Sequence, residues 1–208
     1  MIKINISFHK INKMFLFIFV SFFVWVISSV NASATTLLKM TIEDLTSEAQ
    51  VIVIGTVEDV SSAWRSDQTA IETTTVVKVG ECLYGQCGSR IKLILRGGTV
   101  GDKTLYIPGM PKFEENQNVL LFLRQDPEGR SGVWSVVGMC QGAFLIEKDQ
   151  KSKKTYAVQQ SGAAIAEPDN SGTIRVTGEM NPIKMPLKRL ISRIKKHIEF
   201  LERERAKE

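Results

Sequence analysis

Histidine and cysteine are the side chains that most readily run nucleophilic or metal chemistry at neutral pH, and this chain has few of them. It holds two histidines and three cysteines in 208 residues. A serine or cysteine nucleophile needs a neutral imidazole beside it. His9 falls in the N-terminal segment that reads as a signal peptide and His197 among the cations of a C-terminal helix, where it reads as a solvated residue. The central region therefore supplies no base of this type. Zinc needs clustered His, Cys and carboxylate ligands, and no such spacing occurs. Paired acids do occur, as Glu43/Asp44, Glu58/Asp59, Glu114/Glu115 and Asp126/Glu128. Such pairs are common on solvated surfaces and do not by themselves make an acid–base site. The stretch Gly97 to Thr104 resembles a phosphate-binding loop until Asp102, which stands where that pattern requires its last glycine. The expectation is a protein that is not an enzyme, with no cofactor and no metal.

Cys82 and Cys87 are separated by Leu-Tyr-Gly-Gln, and Gly85 lets the chain turn back between them. In an oxidising compartment they can close a disulfide across a hairpin tip, worth about 2 kcal/mol for so short a loop. The alternative is three reduced core cysteines. Cys140, between Met139 and Gln141, reads as a small buried apolar residue.

The candidate recognition segment lies between Arg96 and Asn118, rich in Gly and Pro yet carrying Leu105, Tyr106, Ile107 and Phe113. A long connection of this kind is either a binding loop or a plain connector in which Thr104 to Ile107 forms an edge strand. As a binding loop, residues 97–113 would present Arg96, Lys103, Tyr106 and Phe113 as a mixed polar and aromatic contact surface.

The elements that must position this loop are mostly strands. Thr41 and Asp44 form a capping-box pattern ahead of a short N-terminal helix. Gln50 to Val60 is β-branched, with Gly55 marking a bulge or bend. Ile71 to Val79 and Ile91 to Arg96 alternate with period 2. Asn118 to Arg124 is continuously apolar, as in a strand buried on both faces. Val133 to Val137, Ala143 to Glu147 and Thr155 to Val158 add three short strands. Leu187, Leu190, Ile191, Ile194, Ile198 and Leu201 share one helical face, with Lys188, Arg189, Arg193, Lys195 and Lys196 on the others. The prediction is a mainly β fold, a small OB-like β-barrel with a short N-terminal helix and a C-terminal amphipathic helix. Its divisions are residues 35–158 for the barrel, 159–185 for a loose connector and 186–208 for the basic helix. That helix either covers one end of the barrel or lies on an anionic membrane surface.

Residues 1–34 read as a signal peptide: Lys3, Lys10 and Lys13 precede an apolar run from Met14 to Val30, and small residues at Ala32 and Ala34 set cleavage between Ala34 and Thr35. The rival is a retained membrane anchor. Cleavage would leave 24 basic and 22 acidic residues, with the excess of positive charge confined to the C-terminal helix. A nucleic-acid partner is not expected. The location expected is exported, periplasmic or extracellular.

Three stretches in order, Ser47 to Val57, Thr75 to Gly85 and Phe113 through Leu123, resemble the element order of netrin-module proteins, which include the tissue inhibitors of metalloproteinases. The pattern Gly97-Gly98, Gly109-Met-Pro111-Lys-Phe113 and Val119 to Leu123 is also similar to a group of uncharacterised exported bacterial proteins. The resemblance implies an OB-like barrel and a protein partner, with a protease as a special case. It departs from the inhibitors at the mature N-terminus, Thr35 in place of a zinc-chelating cysteine, and in lacking their disulfide framework. The function expected is an exported non-catalytic protein-binding module; the alternative is a structural or envelope-surface-associated protein acting through the basic helix.

Overall fold

Hydrophobic alternation along the chain is resolved into thirteen strands and two helices over the residues described by the computed structural model, 36–168 and 174–207. The expected address segment 1–34 and the Ala34–Thr35 junction lie outside them. In chain order come β1 (Thr36–Leu38), α1 (Ile42–Glu48), β2 (Val51–Trp64), β3 (Ile71–Tyr84), β4 (Arg90–Arg96), β5 (Gly98–Val100) and β6 (Lys103–Leu105). Then follow β7 (Asn118–Gln125), β8 (Val133–Val136), β9 (Ala143–Lys148), β10 (Thr155–Gln159), β11 (Ala164–Pro168), β12 (Ile174–Glu179), β13 (Lys184–Pro186) and α2 (Leu187–Arg205).

Five strands close a ring. β2, β3 and β4 form an antiparallel meander, β4 runs parallel to β8, β8 pairs antiparallel with β7, and β7 pairs antiparallel with β2. The order β2-β3-β4-β8-β7 is that of an OB-like barrel, with the β5–β6 hairpin lying between its third and fourth strands. The β4–β8 seam is short, carried by Lys92↔Val133 and Leu93↔Trp134 alone. Beyond the ring the sheet continues outward from β7 through β9, β10 and β13. The barrel proper is therefore drawn from residues 51–136, a narrower span than the 35–158 expected.

Closure requires β2 and β3 to coil. Register shifts fall at Ile54/Gly55 and between Val57 and Asp59, so β2 bends away from β7 while staying paired with β3. Gly55 permits the close crossing, because a Cβ there would lie 2.4 Å from the Lys78 carbonyl oxygen and 2.7 Å from Val77 Cγ1. Both strands run further than the apolar pattern suggests, β2 to Trp64 and β3 to Tyr84. The Cys82–Cys87 disulfide forms across the β3–β4 turn. Cys140 is a free thiol in a buried position, and burial pushes its pKa up.

Strand β7 faces two cores. Val119, Leu121 and Leu123 point into the barrel with Val51, Val53, Val77, Ile91 and Leu93. Leu120 and Phe122 point outward, beneath α1 and α2, with Ile52, Phe144 and Ala157. In α2, Leu190, Ile194 and Ile198 recur at intervals of four and are buried in this outer core, each worth about 1.5–3 kcal/mol. The amphipathic helix thus covers the sheet, its apolar stripe turned to the domain. The α1 capping box is present as expected, with Thr41 Oγ1 accepting from Asp44 N and Asp44 accepting from Thr41 N. Arg193 holds Glu43 through two 2.6 Å bonds and so ties α2 to α1.

Residues 159–185 depart from the expected loose connector. They carry β11, β12 and most of β13, and β11 pairs in parallel with β1 and antiparallel with β12 in a separate three-stranded sheet. The parallel partner of β11 is β1, more than a hundred positions away, and no local period announces that pairing.

Replacing Gly55 by Ala forces an overpacked contact and is expected to cost about 1–3 kcal/mol in urea unfolding. Gly80→Ala, where the nearest atom would be an ordinary 3.6 Å away, should be neutral or stabilising by up to about 1 kcal/mol.

Candidate functional site at the mouth of the barrel

The inner face of β2 and β3 ends in hydroxyls rather than in aliphatic side chains. Ser62 opposes Thr73, their oxygens 2.9 Å apart, and Thr73 Oγ1 donates to the Gly97 carbonyl at 2.6 Å. The chain leaving β4 lies directly on this pair. A Cβ on Gly98 would sit 2.4 Å from both hydroxyl oxygens, and Gly98 has φ +135°, so only glycine fits here. The β5–β6 hairpin is thereby seated over one end of the barrel.

The rest of the segment is held as firmly. Gln160 clamps Lys112 on both sides: its Oε1 accepts from Lys112 N and its Nε2 donates to the Lys112 carbonyl, each at 2.8 Å. Gly109 N donates to the Gly162 carbonyl, and Cys140 N donates to the Gly109 carbonyl, both at 2.9 Å. Residues 97–113 are an ordered loop containing a short hairpin. Nothing in the local sequence marks Gln160 as its anchor, since the pairing spans 48 positions.

Between hairpin and barrel lies a cavity of about 260 Å³, with Val60, Leu95, Ile107, Met110 and Phe113 among its apolar lining. Arg96, Tyr106 and Lys112 also line it. Tyr106 is 57% exposed, and Lys112 Nζ stands 4.7 Å over its ring centroid, a cation–π contact. Of the four anticipated contact residues, Arg96, Tyr106 and Phe113 meet at this cavity. Phe113 is not a surface contact: it is 7% exposed and belongs to the barrel core, so it serves as part of the cavity floor. Lys103 lies apart at the start of β6, exposed, with Asp102 at 3.9 Å as its ion-pair partner. Met110 and Lys112 were missed by sequence reasoning, although both sit in the loop it singled out.

Behind the same loop, a second cavity of about 170 Å³ shares Arg96, Met110 and Pro111 with the first. Of its charged residues, Arg96, Asp126, Glu128 and Arg130 belong to a linked set of ion pairs that extends to Arg65 and Glu72. Arg130 reaches Asp126 at 2.8 Å and Glu72 at 3.2 Å, while Arg65 and Arg96 each reach Glu128 at 3.4 Å. The Asp126 side chain is only 2% exposed, and hydrogen bonding from Arg130 holds its carboxyl below the usual aspartate range against the opposing effect of burial.

Catalytic geometry elsewhere is sparse. Ser47 Oγ and His197 Nε2 are 2.8 Å apart, an approach the sequence did not suggest for a histidine taken as solvated. They sit in the contact between α1 and α2, neither lines a described cavity, and Glu43 beside them is engaged by Arg193. The pair acts as an interhelical clamp. Among the described residues, no group of three or more His, Cys, Asp or Glu is placed to hold a metal ion. None of their helices is long and apolar enough to cross a membrane.

Fold and site together define an OB-like barrel domain with an anchored loop over a small apolar cavity at its mouth. No protein-family model matches the chain, and no curated protein matches it significantly.

Since Asp126 titrates at lower pH folded than unfolded, its contribution is full above the unfolded value of about 3.9 and is lost as pH falls through the folded value. Asp126→Asn should therefore lose about 1.5–3 kcal/mol at pH 7, the worth of its charged hydrogen bonds to Arg130, which keeps Glu72 and Glu128 as partners. Denaturation measured across the acid range should show the gap between the two proteins constant above about pH 4 and closing only as pH falls below it.

Proposed function

We propose that the chain is an exported, non-catalytic protein-binding module that takes an apolar side chain of its partner into the cavity under residues 97–113. The observation that carries this reading is Tyr106, an exposed aromatic beside that cavity, on a loop pinned by Gln160, Gly162 and the Ser62–Thr73 pair. The cavity, about 260 Å³, is below the roughly 300–1,000 Å³ of a small-molecule pocket and suits one anchoring side chain. Tyrosine supplies large contact area at low entropic cost, and it recurs at the energetic centres of protein interfaces. Arg96 and Lys112 would set the polar rim around it.

Export is supported by the Cys82–Cys87 disulfide, which is at home in an oxidising compartment. The five-stranded ring supports an OB-like barrel, the fold that the likeness to netrin modules implies. Through that likeness, a protease is the partner class to try first.

Tyr106→Ala should leave stability within about 0.5 kcal/mol of the parent, whereas Phe113→Ala should lose about 3–5 kcal/mol as a core truncation. With the parent protein as bait against exported fractions and a panel of purified proteases, Tyr106→Ala and Met110→Glu should each abolish capture or inhibition. Undiminished binding by both folded variants would remove the loop as the binding element.

A further inference from the structure

Most arginines of this domain stand beside an acid, as Arg65, Arg90, Arg96, Arg124, Arg130 and Arg193 do. Lysines without such a partner among the described residues occur elsewhere, as Lys78, Lys92, Lys112 and Lys196, but one face gathers seven cations. The turn between β9 and β10 carries Lys148, Lys151, Lys153 and Lys154, and the chain entering α2 carries Lys184, Lys188 and Arg189. All seven are exposed, and none has an acid within ion-pair distance among the described residues. The fold brings the two groups together: β10 pairs with β13 in the register Tyr156↔Pro186, and Lys184 Nζ lies 5.6 Å over the Tyr156 ring. Lys184 is also close enough to Asp149 to favour its ionised form.

Among the described residues, the acids on this face are Glu147, opposite Tyr156, and Asp149. The Asp149 carboxylate is occupied within the turn, accepting from Lys151 N and Ser152 N at 2.8 Å each. The first three turns of α2 contain no acid at all.

Three of the cations sit where local stability argues against them. Lys188 and Arg189 occupy the first turn of α2, at the positive end of the helix dipole, with no acid there and no side-chain cap. Lys153 adopts φ +57°, a left-handed conformation that Gly or Asn takes more cheaply. A surface that keeps charge at the expense of its own turn and helix start is built to meet opposite charge.

We propose that this face docks the domain on an anionic phospholipid surface, by charge and without insertion. Insertion is excluded by packing, because the apolar stripe of α2 is already committed to the outer core. The four turn lysines line no described cavity, so they offer an exposed tip rather than a groove for a polyanionic chain. This docking face is separate from the proposed binding loop. Gln160, which clamps the loop, follows the far end of β10, about 17 Å along the strand from the turn.

The test is cosedimentation of the full chain with vesicles of phosphatidylcholine alone or of an equal mixture with phosphatidylglycerol. The apolar segment 14–30 would contribute to both, so the readout is the ratio between them. We expect preference for the mixed vesicles, falling steeply as salt rises to about 0.15 M. Lys153→Gln with Lys188→Gln should weaken that preference about 25-fold, from about 5-fold per charge removed. Lys78→Gln with Lys92→Gln, exposed barrel lysines whose loss changes net charge equally, should leave it within about twofold. Equal loss in both pairs, or binding indifferent to lipid charge, overturns the proposal. Patch-dependent binding to soluble polyglutamate with no preference for anionic vesicles overturns it in favour of an acidic polymer. Tyr106→Ala, which should leave vesicle binding unchanged, separates this outcome from failure of the binding loop.

Discussion

A single strand without a solvent face organises this domain. From Val119 to Leu123 every side chain is buried, odd positions inside the barrel and even positions beneath the helices. A one-residue slip would exchange the two sets, moving Phe122 into a ring whose interior is filled by valines and leucines. Its neighbours are therefore fixed in register on both sides. β2 pairs with it through Val51↔Leu123 to Thr56↔Asn118, and β9 through Val119↔Leu145 to Leu121↔Ala143. Barrel and helical layer are two faces of one sheet, and neither core can be changed without altering the strand they share.

From that strand the mouth of the barrel, with its candidate site, follows by geometry. Because β2 must leave β7 at Thr56 and bend with β3, its inner face runs past the aliphatic core and ends in Ser62 and Thr73. Those hydroxyls would be poorly satisfied in a closed apolar barrel. They instead meet each other and the Gly97 carbonyl, so the polar end of the barrel becomes the seat of the loop. The loop is consequently ordered before any partner arrives, and the entropy of fixing it belongs to folding rather than to association.

Much of this was legible in the residues. The continuous apolar run at Asn118–Arg124, the capping box at Thr41 and Asp44, the helical face of Leu190, Ile194 and Ile198, and the Gly55 bend each have a local cause that the sequence displays. The Cys82–Cys87 pair was legible as well, because Gly85 supplies the turn between them. Long-range pairing was not. The parallel contact of β1 with β11, the Gln160 clamp on Lys112 and the Ser47–His197 approach join positions far apart, and no local pattern encodes them. Phe113 shows a different failure. An aromatic beside Gly and Pro reads the same whether it faces solvent or core, and only the closed ring decides between them.

The short β4–β8 seam gives the ring an order of events. Two residue pairs join these strands and three join β8 to β7, against antiparallel ladders of six or more pairs at the other joints of the barrel. What steadies β8 is its leading turn, where Arg130 bridges Asp126 to Glu72 on β3 and Arg65 reaches across to Glu128. The barrel is thus latched by charge at its weakest joint, whereas the outer core under α2 is held mainly by apolar burial, with Arg193–Glu43 joining the two helices at its edge. The two respond to different solvents: acid loosens the latch, and denaturant loosens the core. In hydrogen-exchange terms the amides of β8 belong to a low-energy opening unit, and those of β7 to the last structure to be lost.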